Sequence, residues 1–192
     1  MGDSDPLEIL QSSLLGAPII WKGDYPYFIH PISDGIPRMD ADVLRATRDL
    51  IVNSVDWNTI DLIVSVEAMG LPLLAAVGEK TGKPTVVIRK RTYGMEGEVR
   101  VNVSTGYSES TVYINDIKSG ERILIVDDVI STGGTLQPIL QTLEDMGVIL
   151  QDIVIAIEKG EGKKRLEIEK PNWPIRTLVK IEIIEGKVGI IE

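Results

Sequence analysis

Two adjacent carboxylates, Asp127 and Asp128, stand at the end of the apolar run Ile123-Leu124-Ile125-Val126. The small and hydroxylated stretch Ser131-Thr132-Gly133-Gly134-Thr135 follows almost at once. The glycines let backbone N–H groups converge, and a helix opening near Thr135 adds partial positive charge at its N-terminus. The hydroxyls of Ser131, Thr132 and Thr135 are further donors, so this segment suits a phosphate monoester. The acids upstream suit acceptance from vicinal hydroxyls, such as those of a ribose. The sequence lacks the G-x-x-x-x-G-K-[ST] of nucleoside triphosphatases and the G-x-G-x-x-G of dinucleotide folds.

Three further places carry chemistry. Glu67-Ala68-Met69-Gly70 is a strand-to-helix turn whose small residues permit close backbone approach to a ligand. Arg89-Lys90-Arg91 puts three cations at the start of a Gly-containing stretch, Thr92 to Gly97, in a chain of net charge −9, which points to an anionic ligand. Lys159 follows the apolar run Ile153 to Ile157 and so emerges at the same edge as the other loops; it also opens the charged run Lys159 to Arg165, which reads as a solvated loop. Phe28, the only phenylalanine, is placed either to stack on a ring or to fill a small core, and His30, the only histidine, reads as structural beside Pro31.

The elements that position these residues alternate along the chain. A helix runs from Asp5, a cap followed by Pro6, to Gly16; Tyr25 to Pro37 reads as strand and turn without helical period; a helix begins near Asp40, with Val43, Leu44, Thr47, Leu50 and Ile51 on one stripe. Strands follow at 60–66, 85–88, 122–126 and 153–157, with helices at about 71–80 and 135–146 between them. Continuous β-branched runs separated by helices predict an α/β fold, with a largely parallel twisted sheet and flanking helices. In such sheets ligands sit beyond the carboxyl ends of the strands, where the loops named above lie. Val99 to Val103 and Thr111 to Ile114 predict a hairpin, and Leu178 to Ile184 and Lys187 to Ile191 two more extended segments. The 192 residues suit a single domain, with N-terminal elements in 1–37 and a flexible loop and hairpin at 89–115.

Composition narrows the function. With 29 acids against 20 Lys and Arg the chain is a poor nucleic-acid binder, and without cysteine it has no disulfide, thiolate metal site or cysteine nucleophile. No apolar run reaches the length of a membrane span, and the acidic start predicts a cytoplasmic protein with no membrane partner.

The segment Ile123 to Thr135 resembles the phosphoribosyl pyrophosphate (PRPP) signature of type I phosphoribosyltransferases. Tyr27 to Pro37, Val66 to Gly70 and Ile88 to Arg91 resemble the archaeal hypoxanthine/guanine phosphoribosyltransferases, themselves close to the adenine enzymes. The resemblance implies a purine-salvage transferase with PRPP and a purine base as ligands, Mg²⁺ as cofactor and a homodimer as the assembly. Asp127 and Asp128 would hold the ribose hydroxyls and, through PRPP, the metal. Ser131, Thr132, Gly133, Gly134 and Thr135 would hold the 5′-phosphate; Glu67, Ala68, Met69 and Gly70 the pyrophosphate through backbone amides, at a peptide the family often strains; Arg89 and Lys90 would close over PRPP. Under a small N-terminal hood, Phe28, Ile29 and Lys159 would meet the base, with Lys159 donating to a purine O6. Met69 and Gly106 depart from the adenine pattern, where an arginine and, before the tyrosine matching Tyr107, a glutamate are usual. Ser131 departs from the 6-oxopurine pattern, where an acid is common, which leaves the general base open, with Glu98 and Glu109 the nearby acids. The alternatives are an adenine phosphoribosyltransferase and a PRPP-sensing regulator without activity.

Overall fold

The computed structural model describes residues 5–23, 25–104 and 109–191; Gly106 and Tyr107 lie outside them. Helix α1, Pro6–Leu15, starts where the Asp5 carboxylate accepts from Leu7 N–H and ends at Gly16. Strands β1 (Ile19–Lys22) and β2 (Tyr25–Phe28) form an antiparallel hairpin of their own.

A short helix, α2 (Pro31–Asp34), then interrupts the stretch for which strand and turn were expected. Four residues are too few to show a period, but the local signals are present: the His30 ring accepts from Ile32 N–H, Pro31 fills the first turn and Gly35 ends it at φ 69°. The hydrogen bonds assign the His30 tautomer. Ser13 Oγ donates to Leu10 C=O, so it accepts from His30 Nε2–H at 3.1 Å, while Nδ1 accepts from Ile32. The ring is buried and neutral, with its pKa lowered to about 4 chiefly by loss of hydration.

Helix α3 (Ala41–Ser54) is capped by Asp40, and β3 (Leu62–Val66), α4 (Gly70–Thr81) and β4 (Thr85–Ile88) follow as expected. Strands β5 (Val99–Ser104) and β6 (Glu109–Ile114) pair as a hairpin, tied to the end of β4 by a bridge between Arg89 and Tyr113. Then come β7 (Arg122–Ile130), α5 (Leu136–Asp145), β8 (Ile149–Lys159), α6 (Gly162–Glu169), β9 (Ile175–Ile184) and β10 (Lys187–Ile191).

The main sheet has the order β10-β9-β8-β7-β3-β4, parallel except for β10 at one edge. Successive residues of β7 serve opposite layers. Ile123 and Ile125 pack with α5, the β5–β6 hairpin and Leu166, whereas Leu124 and Val126 pack with α1, α3, α4 and Phe28. On α5, Leu136, Ile139, Leu140 and Leu143 recur at helical spacing and are all buried, each contributing about 2 kcal/mol.

Two boundaries differ from expectation and both concern the site. Strand β7 runs on through Ile130, because its parallel ladder with β8 continues to the pair Ile130–Glu158; Asp127 and Asp128 therefore belong to a strand and not to a loop. The expected loop from Lys159 to Arg165 is a turn followed by α6, which buries Gly162 and Leu166 beneath its charged residues. Among the described residues no helix is long and apolar enough to cross a membrane.

Candidate active site

A cavity of about 810 Å³ opens beyond the carboxyl ends of β3, β7 and β8. It collects Glu67, Ala68, Met69, Lys90, Asp127, Asp128, the whole stretch Ser131 to Thr135, Phe28 and Lys159. Gly70, Arg89 and Ile29 do not line it.

Asp127 and Asp128 lie side by side on its wall. Burial pushes both carboxyls above the ordinary range; repulsion from Asp127 raises Asp128 further, and the charge of Lys90 draws Asp127 partly back. Hydroxyl donors or cations brought by a ligand would favour the ionised form of both.

The stretch 131–135 has a consistent orientation. Ser131 C=O accepts from Gly162 N–H, Thr132 C=O from the Arg165 guanidinium, Gly133 C=O from Gln137 N–H and Gly134 C=O from Ser104 N–H. In a trans peptide the following N–H points the opposite way. The four carbonyls are therefore turned to donors of the protein, and the N–H groups of Thr132, Gly133 and Thr135 point away from those donors, on a stretch that lines the cavity. Glycine is required twice: Gly133 has φ 77°, and a Cβ on Gly134 would stand 2.4 Å from Ser104 C=O.

The turn after β3 contains a cis peptide between Glu67 and Ala68. A Cβ on Gly70 would lie 1.9 Å from Ser65 Oγ and 2.7 Å from Asp127 Oδ1, so only glycine lets the first turn of α4 sit against β7. The Glu67 carboxylate accepts from Lys90 N–H at 2.9 Å and Arg89 Nε at 2.8 Å, which holds it below the usual carboxylate range. Arg89 is thereby turned to Glu67, 5.6 Å from the Tyr93 ring, and Lys90 is the cation of that strand end which lines the cavity.

At the other end, Lys159 Nζ donates to Pro26 C=O at 2.7 Å and lies 5.8 Å from the centre of the Phe28 ring. Phe28 belongs to the core cluster formed with α1 and α3, and it also lines the cavity. Ile29 uses its N–H on Pro18 C=O. Glu98 accepts from Thr92, Tyr93 and Asn115, which hold its carboxylate well below the usual range; Glu109 lines a separate groove beside α5.

The sequence that builds this cavity matches a known family. Residues 36–186 match the phosphoribosyl transferase domain. The chain belongs to this family. A hypoxanthine/guanine phosphoribosyltransferase from Methanotorris igneus is 48% identical over 183 residues, covering 95% of this chain and 100% of that one. Its counterpart from Methanobacterium lacus is 49% identical over 183 residues, 95% of each chain. The fold is also that of adenine phosphoribosyltransferase from Thermoanaerobacter pseudethanolicus, with a TM-score of 0.74 at 23% identity over 91% of this chain and 99% of that one. The Trypanosoma brucei adenine enzyme, solved with AMP, pyrophosphate and ribose-5-phosphate, gives 0.74 at 21% identity over 94% and 81%.

In this phosphoribosyl transferase the residues that sequence reasoning missed are those behind the cradle: Ser104, Gln137, Gly162 and Arg165. Gly162 carries a signal in hindsight, since a Cβ there would meet Ser131 C=O at 2.3 Å and Gly133 N at 2.7 Å. For Arg165, set among Lys163 and Lys164, the sequence gives none.

Proposed function

We propose that this phosphoribosyl transferase works in purine salvage, moving the phosphoribosyl group of PRPP to hypoxanthine or guanine to give IMP or GMP and pyrophosphate. One observation carries the reading: the stretch Ser131 to Thr135, the carboxylate pair Asp127 and Asp128, and Lys159 beside the Phe28 ring all line one cavity. The close relatives named above, hypoxanthine/guanine enzymes matched over nearly their whole length, support the choice of base.

On this reading the stretch Ser131 to Thr135 holds the 5′-phosphate, and Asp127 and Asp128 accept from the ribose 2′- and 3′-hydroxyls. The turn Glu67 to Gly70 and Lys90 receive the diphosphate, with Arg89 acting through Glu67. Phe28 bounds the base, and Lys159 turns from Pro26 C=O to a purine O6, whereas Ile29 lies off the cavity and takes no part. A cation there favours a carbonyl acceptor over the amino group of adenine, which would set donor against donor. The bond from C1′ to the diphosphate oxygen breaks as purine N9 bonds to the opposite face, and the N9 proton is lost to water or a nearby acceptor. Positive charge that develops on the ribose is faced by the two carboxylates, and the strand end and loop that begin at Arg89 close over PRPP to keep water from C1′.

The donors also fit Mg²⁺ carried by the diphosphate: hard carboxylate oxygens whose raised affinity for a proton a cation would relieve. Among the described residues no cluster of three or more His, Asp or Glu would hold an ion unaided, so Asp127 and Asp128 would hold it together with the substrate. Held there by Asp127 and Asp128 with the substrate, it would supply positive charge to offset that of the diphosphate. The assembly on this reading is a cytoplasmic homodimer, which sedimentation of the purified protein checks.

The test of the reading is a competition assay with PRPP, Mg²⁺ and hypoxanthine, guanine, xanthine and adenine, with nucleotide product quantified. Turnover of hypoxanthine or guanine with little adenine use is expected. Preference for adenine overturns the base assignment, and silence with all four overturns the enzyme.

A further inference from the structure

We infer that Arg165, on α6 and outside the cavity, is a positioning residue that keeps the cradle in its binding orientation. The inference rests on the reading of Ser131 to Thr135 as the phosphate site. Its guanidinium reaches two acceptors at once, Thr132 C=O at 3.0 Å and Gln137 Oε1 at 3.1 Å. Both bonds leave Nη2, while Nη1 faces Glu169 at 3.8 Å, so the planar group spans three acceptors, and a lysine ammonium has no second nitrogen to hold that orientation. Gln137 is the residue whose backbone N–H holds Gly133 C=O, and its side chain donates to Glu169 at 2.8 Å. Arg165 thereby fixes two successive peptides of the loop from the rear.

The brace itself is anchored. Gly162 N–H holds Ser131 C=O at 2.8 Å, Lys163 faces the buried Glu158 of β8 at 3.7 Å, and Leu166 is fully buried beneath Gly133. If the hold on Thr132 C=O is released, that peptide is free to rotate and to bring a carbonyl dipole toward the anion where Gly133 N–H now points. The effect of Arg165 is therefore on the phosphate end of the cavity alone. It is not a matter of bulk charge either: Lys164, on the same helix turn, is largely exposed and pairs with Glu161 instead of the loop.

The experiment measures equilibrium binding of ribose-5-phosphate and of Mg-pyrophosphate to the purified protein, together with KM and kcat for PRPP and hypoxanthine. Arg165→Ala should weaken ribose-5-phosphate and raise the KM for PRPP by about ten- to a hundredfold, the range expected from one charge-assisted hydrogen bond. Pyrophosphate binding and the KM for hypoxanthine should stay within about twofold, and Lys164→Ala should bind ribose-5-phosphate as the wild type does. Arg165→Lys should remain impaired. Equal losses for Lys164→Ala, full rescue by Arg165→Lys, or parallel losses for pyrophosphate overturn the inference. If Arg165→Ala does not fold, Gln137→Leu, which removes the second anchor of the guanidinium, carries the same comparison. Failure of the wild type to bind ribose-5-phosphate would instead remove the phosphate reading of the loop, a result distinct from unchanged binding by the variant.

Discussion

Lys159 Nζ and Pro26 C=O are hydrogen-bonded at 2.7 Å, which ties the end of β8 to the β1–β2 hairpin across 133 residues of sequence. The ammonium also lies 5.8 Å from the Phe28 ring. A side chain so placed can trade a backbone carbonyl for the carbonyl of a 6-oxopurine without moving the strand that carries it.

Lys159→Met should therefore raise the KM for hypoxanthine by about ten- to a hundredfold, or about 1.5–3 kcal/mol, while the KM for PRPP changes little. Steady-state kinetics with each substrate varied in turn decides this. Equal damage to both substrates would mean that the lysine serves the hairpin and not the base.

Asp128→Asn should make the unliganded protein more stable while it cripples PRPP binding. A carboxyl whose pKa is higher folded than unfolded favours folding at low pH and loses that advantage as pH rises above its unfolded value of about 4. At pH 8 the wild type must hold the burden of the pair, and the variant need not. The Tm difference should grow from near zero at pH 4 to about 3–6 °C at pH 8, read by calorimetry without ligand.

His30 gives the opposite slope. Its folded pKa, near 4, lies below the unfolded value of 6.5, so the unfolded chain takes up the proton first as acid is added. Stability from this group is complete above pH 6.5 and falls by up to about 3 kcal/mol as pH drops toward 4. His30→Asn keeps an acceptor for Ile32 N–H and carries no charge, so its denaturant midpoint should fall less steeply with acid over that window.

Gly162→Ala and Gly82→Ala separate two costs of replacing glycine. At Gly82 the backbone has φ 67° and nothing stands within 4 Å of the added carbon, so the loss is conformational, about 1 kcal/mol. At Gly162 the carbon meets three backbone atoms of the cradle at 2.3–2.7 Å, and the loop or α6 must move. A loss of about 3 kcal/mol or more, with weaker ribose-5-phosphate binding, is expected from thermal melts and titration.

The parallel sheet was legible because β3, β7 and β8 are buried on both faces, so that their apolar runs stand out from the helices between. The extent of β7 was not, since a charged pair ends an apolar run in sequence whereas pairing with β8 carries the strand past it to Ile130. Helix α6 was hidden for a related reason: Gly162 and Leu166 are its buried residues, too few to form a stripe. Phe28, Lys90 and Lys159 line the cavity, whereas Gly70, Ile29 and Arg89 do not, and Arg89 is turned instead to Glu67. Side-chain type marks the residues that face a ligand. It does not mark those that hold the backbone from behind.

The outward carbonyls of Ser131 to Gly134 bear on the kinetics of capture. A loop whose dipoles are already fixed by Gly162, Arg165, Gln137 and Ser104 has no refolding step between encounter and binding. Arrival is then governed by diffusion in the field of the whole molecule, and at net charge −9 that field repels a polyphosphate at long range. Added salt screens the repulsion before it weakens the short contacts inside the cavity, so moderate ionic strength should quicken association more than it hastens release.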